Sequence, residues 1–203
     1  MTDDATLATV PLKFGAGPAT FRLGDDRLLM GHGRYTDDVH WDGEAHGYVF
    51  RAPYGHAKLL ALDVSAARSA PGVLAVYTFA DLKAAGYGAF PFGLPVKNAD
   101  GSDPFVPDRY ALADDKIRHV GEAVAFVVAE TRIAAQDAAE QIALDVEILD
   151  AVTDPEATLN DDAPQLFKGH VNQCIEWQNN DGTEVAEALA NSDHVARVKV
   201  DVN

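Results

Sequence analysis

The alternation of apolar and polar positions predicts short strands and short helices between residues 21 and 150, with the clearest unit at 123–148. The run AVAFVVA at Ala123–Ala129 is nearly all apolar, which predicts a central strand covered on both faces. Thr131 stands at an N-cap position before a helix reaching Gln141. The apolar stripe of that helix is made of small side chains, which let a helix sit close to a sheet: Ala134, Ala135, Ala138 and Ala139.

Residues 142–148 alternate strictly, which predicts a strand with one apolar face. The inward side chains are Ile142, Leu144, Val146 and Ile148, and the outward ones are Asp145 and Glu147. Three further strands are predicted upstream, at His46–Arg51, Leu59–Asp63 and Val73–Thr78. Two short helices are predicted at Ala66–Ala70, with Ser65 as N-cap and Pro71-Gly72 as terminator, and at Ala80–Ala85, with Gly86 as the left-handed residue beyond its end.

Other segments carry little periodicity. Residues 1–20 are interpreted as a loosely held arm, and 86–108, with four Gly and four Pro, as a long and mobile loop. The acidic stretch 153–164 is interpreted as a linker, followed by a helix at Glu184–Ala190.

A last strand is predicted at Val195–Val202, where apolar residues alternate with charged ones. Ala196, Val198, Val200 and Val202 share one face of it, and Arg197, Lys199 and Asp201 share the other. Such a strand needs an apolar cover and a neighbouring strand. The segment must pack back on the preceding domain, pair with a second copy or await another subunit, and we expect one of the last two.

Composition narrows the class of protein. A formal net charge of −16 disfavours nucleic acid and anionic membrane as partners, and the scattered acids favour a charge that keeps the surface soluble. Met1–Val10 has two acids and no basic residue, and no apolar stretch reaches the length of a membrane span. We expect a cytoplasmic protein without a signal peptide or a transmembrane segment.

Candidate chemical groups are few. Cys174 is the single cysteine, which excludes an iron–sulfur cluster ligated within the chain and favours a small buried hydrophobe over a nucleophile. The seven histidines include no HExxH pattern, and His46 and His56, which flank a predicted hairpin, are expected to be structural.

The remaining candidates also have structural explanations. Gly31-His32-Gly33 lacks the third glycine of a phosphate loop and predicts a tight turn. Glu122, after Gly121, is either a poised acid or base or a side chain that accepts backbone N–H groups at a strand start, and the second is favoured. Ser65 and Ser69 both have roles within a predicted helix. No catalytic, cofactor-binding or metal-binding residue is predicted in this chain.

Five segments, taken in order, resemble the large subunits of the xanthine dehydrogenase and aldehyde oxidase family, and most of all those like carbon monoxide dehydrogenase. They are RLLMGHGRYTDDV at 27–39, FRAPYGHA at 50–57, DVSAA at 63–67, PGVLAVYT at 71–78 and LADDKIRHVGEAVA at 112–125. The resemblance implies an α+β fold, with an α/β hammerhead domain at 21–150. It also implies that 151–203 is a linker and the incomplete beginning of the first molybdenum-binding domain.

In this family the complete large subunit holds a molybdenum–molybdopterin cytosine dinucleotide cofactor, and FAD and [2Fe-2S] clusters lie in partner subunits. The resemblance places the cofactor loops and the catalytic glutamate beyond position 203, so the chain alone is expected to bind no molybdenum and to oxidise no substrate. Two functions stay open. The chain is a fragment or split subunit with a structural and assembly role in a molybdenum hydroxylase, or a stand-alone interaction module that retains the fold without redox chemistry.

Overall fold

The computed structural model describes residues 22–179 and 182–200, which fall into two units, one up to Glu44 and one from Ala45 onward. The first unit contains helix α1 (Asp25–Leu29) and a 3₁₀ turn at Thr36–Asp38. Two aspartates in the first turn stabilise α1, because the N-terminus of a helix carries a partial positive charge. Gly31 follows the C-cap residue of α1 with φ of 72°, a conformation that favours glycine. The predicted tight turn is confirmed, because Gly31 follows the end of a helix. The glycines of a phosphate loop would instead precede the start of a helix.

The second unit is built on two three-stranded antiparallel sheets. In the first sheet the order is β1 (His46–Arg51), β5 (Ala123–Ala129) and β3 (Val73–Thr78). In the second it is β4 (Lys116–Ile117), β2 (Ala57–Asp63) and β6 (Ala143–Ile148). The helices are α2 (Ser65–Ser69), α3 (Phe79–Ala84), α4 (Arg132–Ala139) and α5 (Thr183–Ala190), and a 3₁₀ turn lies at Ala157–Leu159.

The first core lies between the first sheet and α4. One face of β5 contributes Ala125, Val127 and Ala129, all fully buried. Three alanines of α4 meet them in the same cluster: Ala135, Ala138 and Ala139. Because these side chains are small, the helix axis can approach the sheet closely. The predicted N-cap is confirmed, since Thr131 Oγ1 accepts a hydrogen bond from the N–H of Ala134 at 3.1 Å.

The opposite face of β5 is covered only in part, which corrects the prediction of a strand buried on both sides. Val124 is fully buried in a second core cluster, but Phe126 and Val128 are half-buried. The Phe126 ring lies over β1, where a Cβ on Gly47 would stand 2.5 Å from Phe126 Cζ. Glycine is needed at that position of β1 because the aromatic ring occupies the space.

Two predictions in the β1–β2 region were wrong. Strands β1 and β2 do not form a hairpin but lie in different sheets, because β1 pairs with β5 and β2 pairs with β4 and β6. Ser65 is not an N-cap residue: Val64 holds that position, and Asp63 Oδ1 accepts the N–H of Ser65 at 2.9 Å. The helical role of Ser69 is confirmed, since its hydroxyl donates to the carbonyl of Ser65 at 3.0 Å.

The ends of several elements differ from the predictions. β2 begins two residues early, at Ala57, and α4 ends at Ala139, before the predicted Gln141. Ile142 precedes β6 and is buried, whereas Ile148, at the end of this edge strand, is 72% exposed, contrary to its predicted inward position. α3 is followed by Gly86 at φ of 87°, as predicted for its C-terminal glycine.

The predicted strand Val195–Val202 is wrong over its described part, 195–200, which has no ladder partner among the described residues; Asp201 and Val202 lie outside them. Alternation alone does not make a strand, because the backbone must also find a hydrogen-bonding neighbour. Val198 and Val200 are accordingly 84% and 73% exposed. The helix predicted at Glu184–Ala190 is confirmed as α5, and the loop 86–108 contains no helix or strand, as predicted.

Candidate interaction cleft

The second unit carries an open cleft of about 990 Å³ beside the ends of β1 and β5. Its walls come from three stretches without regular structure, at 90–94, 104–114 and 166–175. Large apolar side chains dominate these walls: Phe90, Phe92, Leu94, Phe105, Val106 and Ile175. A concave apolar surface of this kind suits an apolar ligand or a polypeptide partner.

Specific contacts hold the long loop in place although it has no secondary structure. The N–H of Phe90 donates to the carbonyl of Arg109 at 2.7 Å. The Tyr110 ring packs edge-on against Phe79 of α3, with ring centroids 4.9 Å apart. These contacts join two irregular stretches of the cleft wall to each other and to α3.

Arg118 is the centre of an ion-pair cluster at the floor of the cleft, and its side chain is only 18% exposed. Its Nη1 atom donates to Asp114 Oδ1 at 2.9 Å and to the carbonyl of Lys116 at 3.2 Å. Nη2 lies 3.4 Å from Asp115 Oδ1. A half-buried guanidinium with several acceptors fixes the turn that joins β4 to β5.

Glu122 belongs to the same cluster. Its Oε2 atom accepts the backbone N–H of Arg118, and its Oε1 atom lies 3.9 Å from Arg118 Nη1. The favoured interpretation of Glu122, as an acceptor of backbone N–H groups at a strand start, is thereby confirmed.

The pKa shifts of Asp114 and Tyr110 act against acid–base chemistry by these two groups near pH 7. Burial acts to raise the pKa of Asp114, but hydrogen bonds from Arg118 and Asp115 outweigh it and hold that pKa below its usual range. Desolvation and the nearby Asp108 carboxylate raise the pKa of Tyr110. Asp114 therefore stays charged and Tyr110 neutral near pH 7, so neither is poised to exchange a proton.

The cysteine and the two histidines that the sequence analysis considered lie in different parts of the structure. Cys174 lines the cleft but is exposed, contrary to the prediction of a buried thiol, and its carbonyl accepts the N–H of Phe105 at 3.0 Å. His56 is buried, and its Nδ1 atom donates to the carbonyl of Asp150 at 2.7 Å, which confirms a structural role. His46 lies in β1, in the other sheet.

Sequence reasoning missed the cleft itself. Asp114, Asp115 and Glu122 lie three or four residues from Arg118 in the sequence, and this spacing suggests ion pairs. Nothing in the sequence shows that Phe167, far along the chain, lies 5.2 Å from the Arg118 guanidinium. That contact depends on the path of the chain after β6.

The chain is similar to a known family of proteins over most of its second unit. Residues 30–150 match the family model of the aldehyde oxidase and xanthine dehydrogenase a/b hammerhead domain, more than half of the chain. The chain belongs to this family. Its α+β fold with a hammerhead domain, expected from the resemblance, is thereby confirmed.

The family relatives are large subunits of oxidoreductases. The nicotine 6-hydroxylase large subunit of Paenarthrobacter nicotinovorans is 35% identical over 86% of this chain and 20% of its own length. The carbon monoxide dehydrogenase large chain of Afipia carboxidovorans is 34% identical over 87% of this chain and 22% of its own. The structure of reconstituted CO dehydrogenase from Oligotropha carboxidovorans, 30% identical, superimposes with a TM-score of 0.68 over 86% of this chain and 22% of that one. This chain thus spans about a fifth of the length of these relatives.

Molybdenum is implied by the family. No three His, Cys, Asp or Glu side chains converge among residues 22–179 and 182–200. The glycine turn at Gly31 follows a helix, so it presents no helix N-terminus to a phosphate. Within the part of the chain that is described, no helix is long and apolar enough to span a membrane.

Proposed function

We propose that this chain is the hammerhead-containing portion of a molybdenum hydroxylase large subunit, with a structural and assembly role and no catalysis of its own. The cofactor, molybdenum–molybdopterin cytosine dinucleotide, belongs to the rest of that subunit, and FAD and [2Fe-2S] clusters belong to partner subunits. The domain limits fit this role, with the hammerhead at 21–150 and the start of a molybdenum-binding domain at 151–203. The cytoplasm is the expected compartment.

One observation carries the proposal: helix α5 has an apolar side that the described residues leave open. Val185 and Leu189 stand one turn apart and are 63% and 52% exposed, and no residue of α5 is buried. Further along the chain, Val198 and Val200 are more exposed still. Apolar side chains in such a group mark a surface that another polypeptide covers. The large-subunit relatives are about five times as long as this chain. The rest of such a subunit supplies a polypeptide surface that can cover α5.

The test introduces a charge into this surface. With a chromosomal affinity tag, the chain is purified from its native host, and molybdenum is measured per mole of tagged polypeptide. We expect Leu189→Glu to lower the copurifying molybdenum by about tenfold or more, the effect of losing roughly 1.4 kcal/mol at an interface. Glu187→Gln, on the same helix, is the matched control and is expected to leave the amount unchanged.

The far-UV circular dichroism of both variants should equal that of the parent, because α5 contains no buried residue. If the tagged polypeptide brings down no molybdenum even without a substitution, the proposal fails. A stand-alone interaction module would then be the better description.

A further inference from the structure

Residues 166–177, called the strap below, pass over the long loop and are tied to it by the backbone. The N–H of Phe105 donates to the carbonyl of Cys174 at 3.0 Å, and the N–H of Ala99 donates to the carbonyl of Glu176 at 2.7 Å. The side chain of Asn98 completes the set, since its Oδ1 atom accepts the N–H of Glu176 at 3.1 Å. These three hydrogen bonds join two segments that are distant in sequence.

Aromatic contacts anchor the other half of the strap. The His170 ring stacks on Phe105 with centroids 3.8 Å apart and an angle of 10° between the rings. Phe167 meets Phe105 edge-on at 5.8 Å, and the Arg118 guanidinium lies 5.2 Å from the Phe167 ring. Phe105 of the long loop and Arg118 of the turn between β4 and β5 thus hold the strap by stacking and cation–π attraction.

The strap is braced within itself but shallow on the core. The side chain of Asn172 accepts the N–H of Leu166 at 3.0 Å and donates to the carbonyl of Pro164 at 2.9 Å. No strap residue is fully buried, and none lies in a helix or strand. A segment with these properties can leave the surface as one piece without exposing the core.

One donor of Arg118 is left without a partner. The Nε atom of Arg118 is buried and has no hydrogen-bond partner. A buried donor without an acceptor is unfavourable, and water reaches such a donor once the covering group moves away. This unsatisfied donor belongs to the same guanidinium that lies 5.2 Å from the Phe167 ring.

We propose that the strap is a reversible lid, which lifts from Phe105 and Arg118 as a unit and thereby opens and closes the cleft. Leu166, Phe167, Cys174 and Ile175 form one wall of the cleft, so lifting the strap removes that wall. The size of the cleft open to a ligand or partner is set by this equilibrium, independently of any role in a molybdenum enzyme.

Amide hydrogen exchange in the full 203-residue chain, followed residue by residue by NMR, tests the lid. The amides of Ala99, Phe105 and Glu176 should share one opening equilibrium and exchange faster than the amide of Val127 in the core. Phe167→Ala should speed all three by about tenfold, because it removes both the cation–π and the aromatic contact. It should leave the exchange of Val127 unchanged.

Phe92→Ala is the matched control: this residue also lines the cleft, is 50% exposed, and has no described contact with the strap. It is expected to leave the three amides as they are. If the three amides exchange as slowly as Val127, the strap is part of the core and the proposal is overturned. Unequal responses of the three amides to Phe167→Ala would overturn it as well, since the segment would then not move as a unit.

Discussion

Replacing Ala138 with leucine tests the close approach of α4 to the first sheet. Ala138 is completely buried, and it packs in one cluster with the equally buried Ala125, Val127 and Ala129 of β5. A methyl group fits there only because both surfaces are lined by small side chains. The isobutyl group of leucine has no free volume to enter, so the helix must move outward or the side chain must leave its preferred rotamer.

The expected cost is about 1–3 kcal/mol of unfolding free energy, the usual penalty for overpacking a dense core. Helix propensity contributes little, because leucine is nearly as good a helix former as alanine. For a domain of this size the same loss lowers the melting temperature by roughly 2–4 °C per kcal/mol.

Urea unfolding followed by far-UV circular dichroism measures the effect, with Gln136→Leu as the matched control. Gln136 is exposed on the same helix, so leucine there adds the same side chain without entering the core. We expect Ala138→Leu to lower the urea midpoint and the control to leave it within about 0.5 kcal/mol of the parent. Equal midpoints for the two variants would show that α4 does not lie against β5 as described.

Substitutions at three further positions probe other parts of the fold by the same unfolding assay. Ile117→Ala should cost about 2–5 kcal/mol, because Ile117 is fully buried in the second core cluster, and Ile117→Val only about 0.5–1.5 kcal/mol; equal costs would refute that packing. Thr131→Ala removes the N-cap bond of α4 and should cost about 1 kcal/mol, with Thr131→Ser restoring most of it; no loss would contradict the cap. Asp81 accepts hydrogen bonds from the hydroxyl and N–H of Thr78, which hold its pKa below 3.8. The stabilisation is therefore present above that pH and is lost as the pH falls through the lowered pKa. Asp81→Asn should flatten the acid side of the stability profile, and an unchanged profile would contradict this.

The sequence predicts the elements whose pattern is local. β5, α4 and β6 follow from one apolar run, an N-cap threonine and a strict alternation, and each forms within one or two residues of its predicted place. These elements could be predicted because periodicity and capping depend only on residues that are close in sequence. The boundaries shift by one or two residues, because the last turn of a helix or the first pair of a strand depends on what packs beside it.

Strand pairing and the cleft could not be predicted in this way. β1 and β2 are neighbours in sequence, yet each pairs with strands from the second half of the chain. The alternation at 195–200 marks one apolar face but carries no information about which strand could pair with it. The contact of Arg118 with Phe167 likewise requires the path of the backbone through the irregular residues after 150.

Molybdenum analysis tests the central claim most directly, namely that this chain contributes the hammerhead domain to a molybdenum hydroxylase without holding the metal itself. The chain is produced alone in cells that make the molybdopterin cofactor, and it is also isolated by its tag from the native host. The account predicts stoichiometric molybdenum in the native assembly and none above background in the lone chain. Stoichiometric molybdenum in the lone chain, or its absence from the native assembly, would contradict the account.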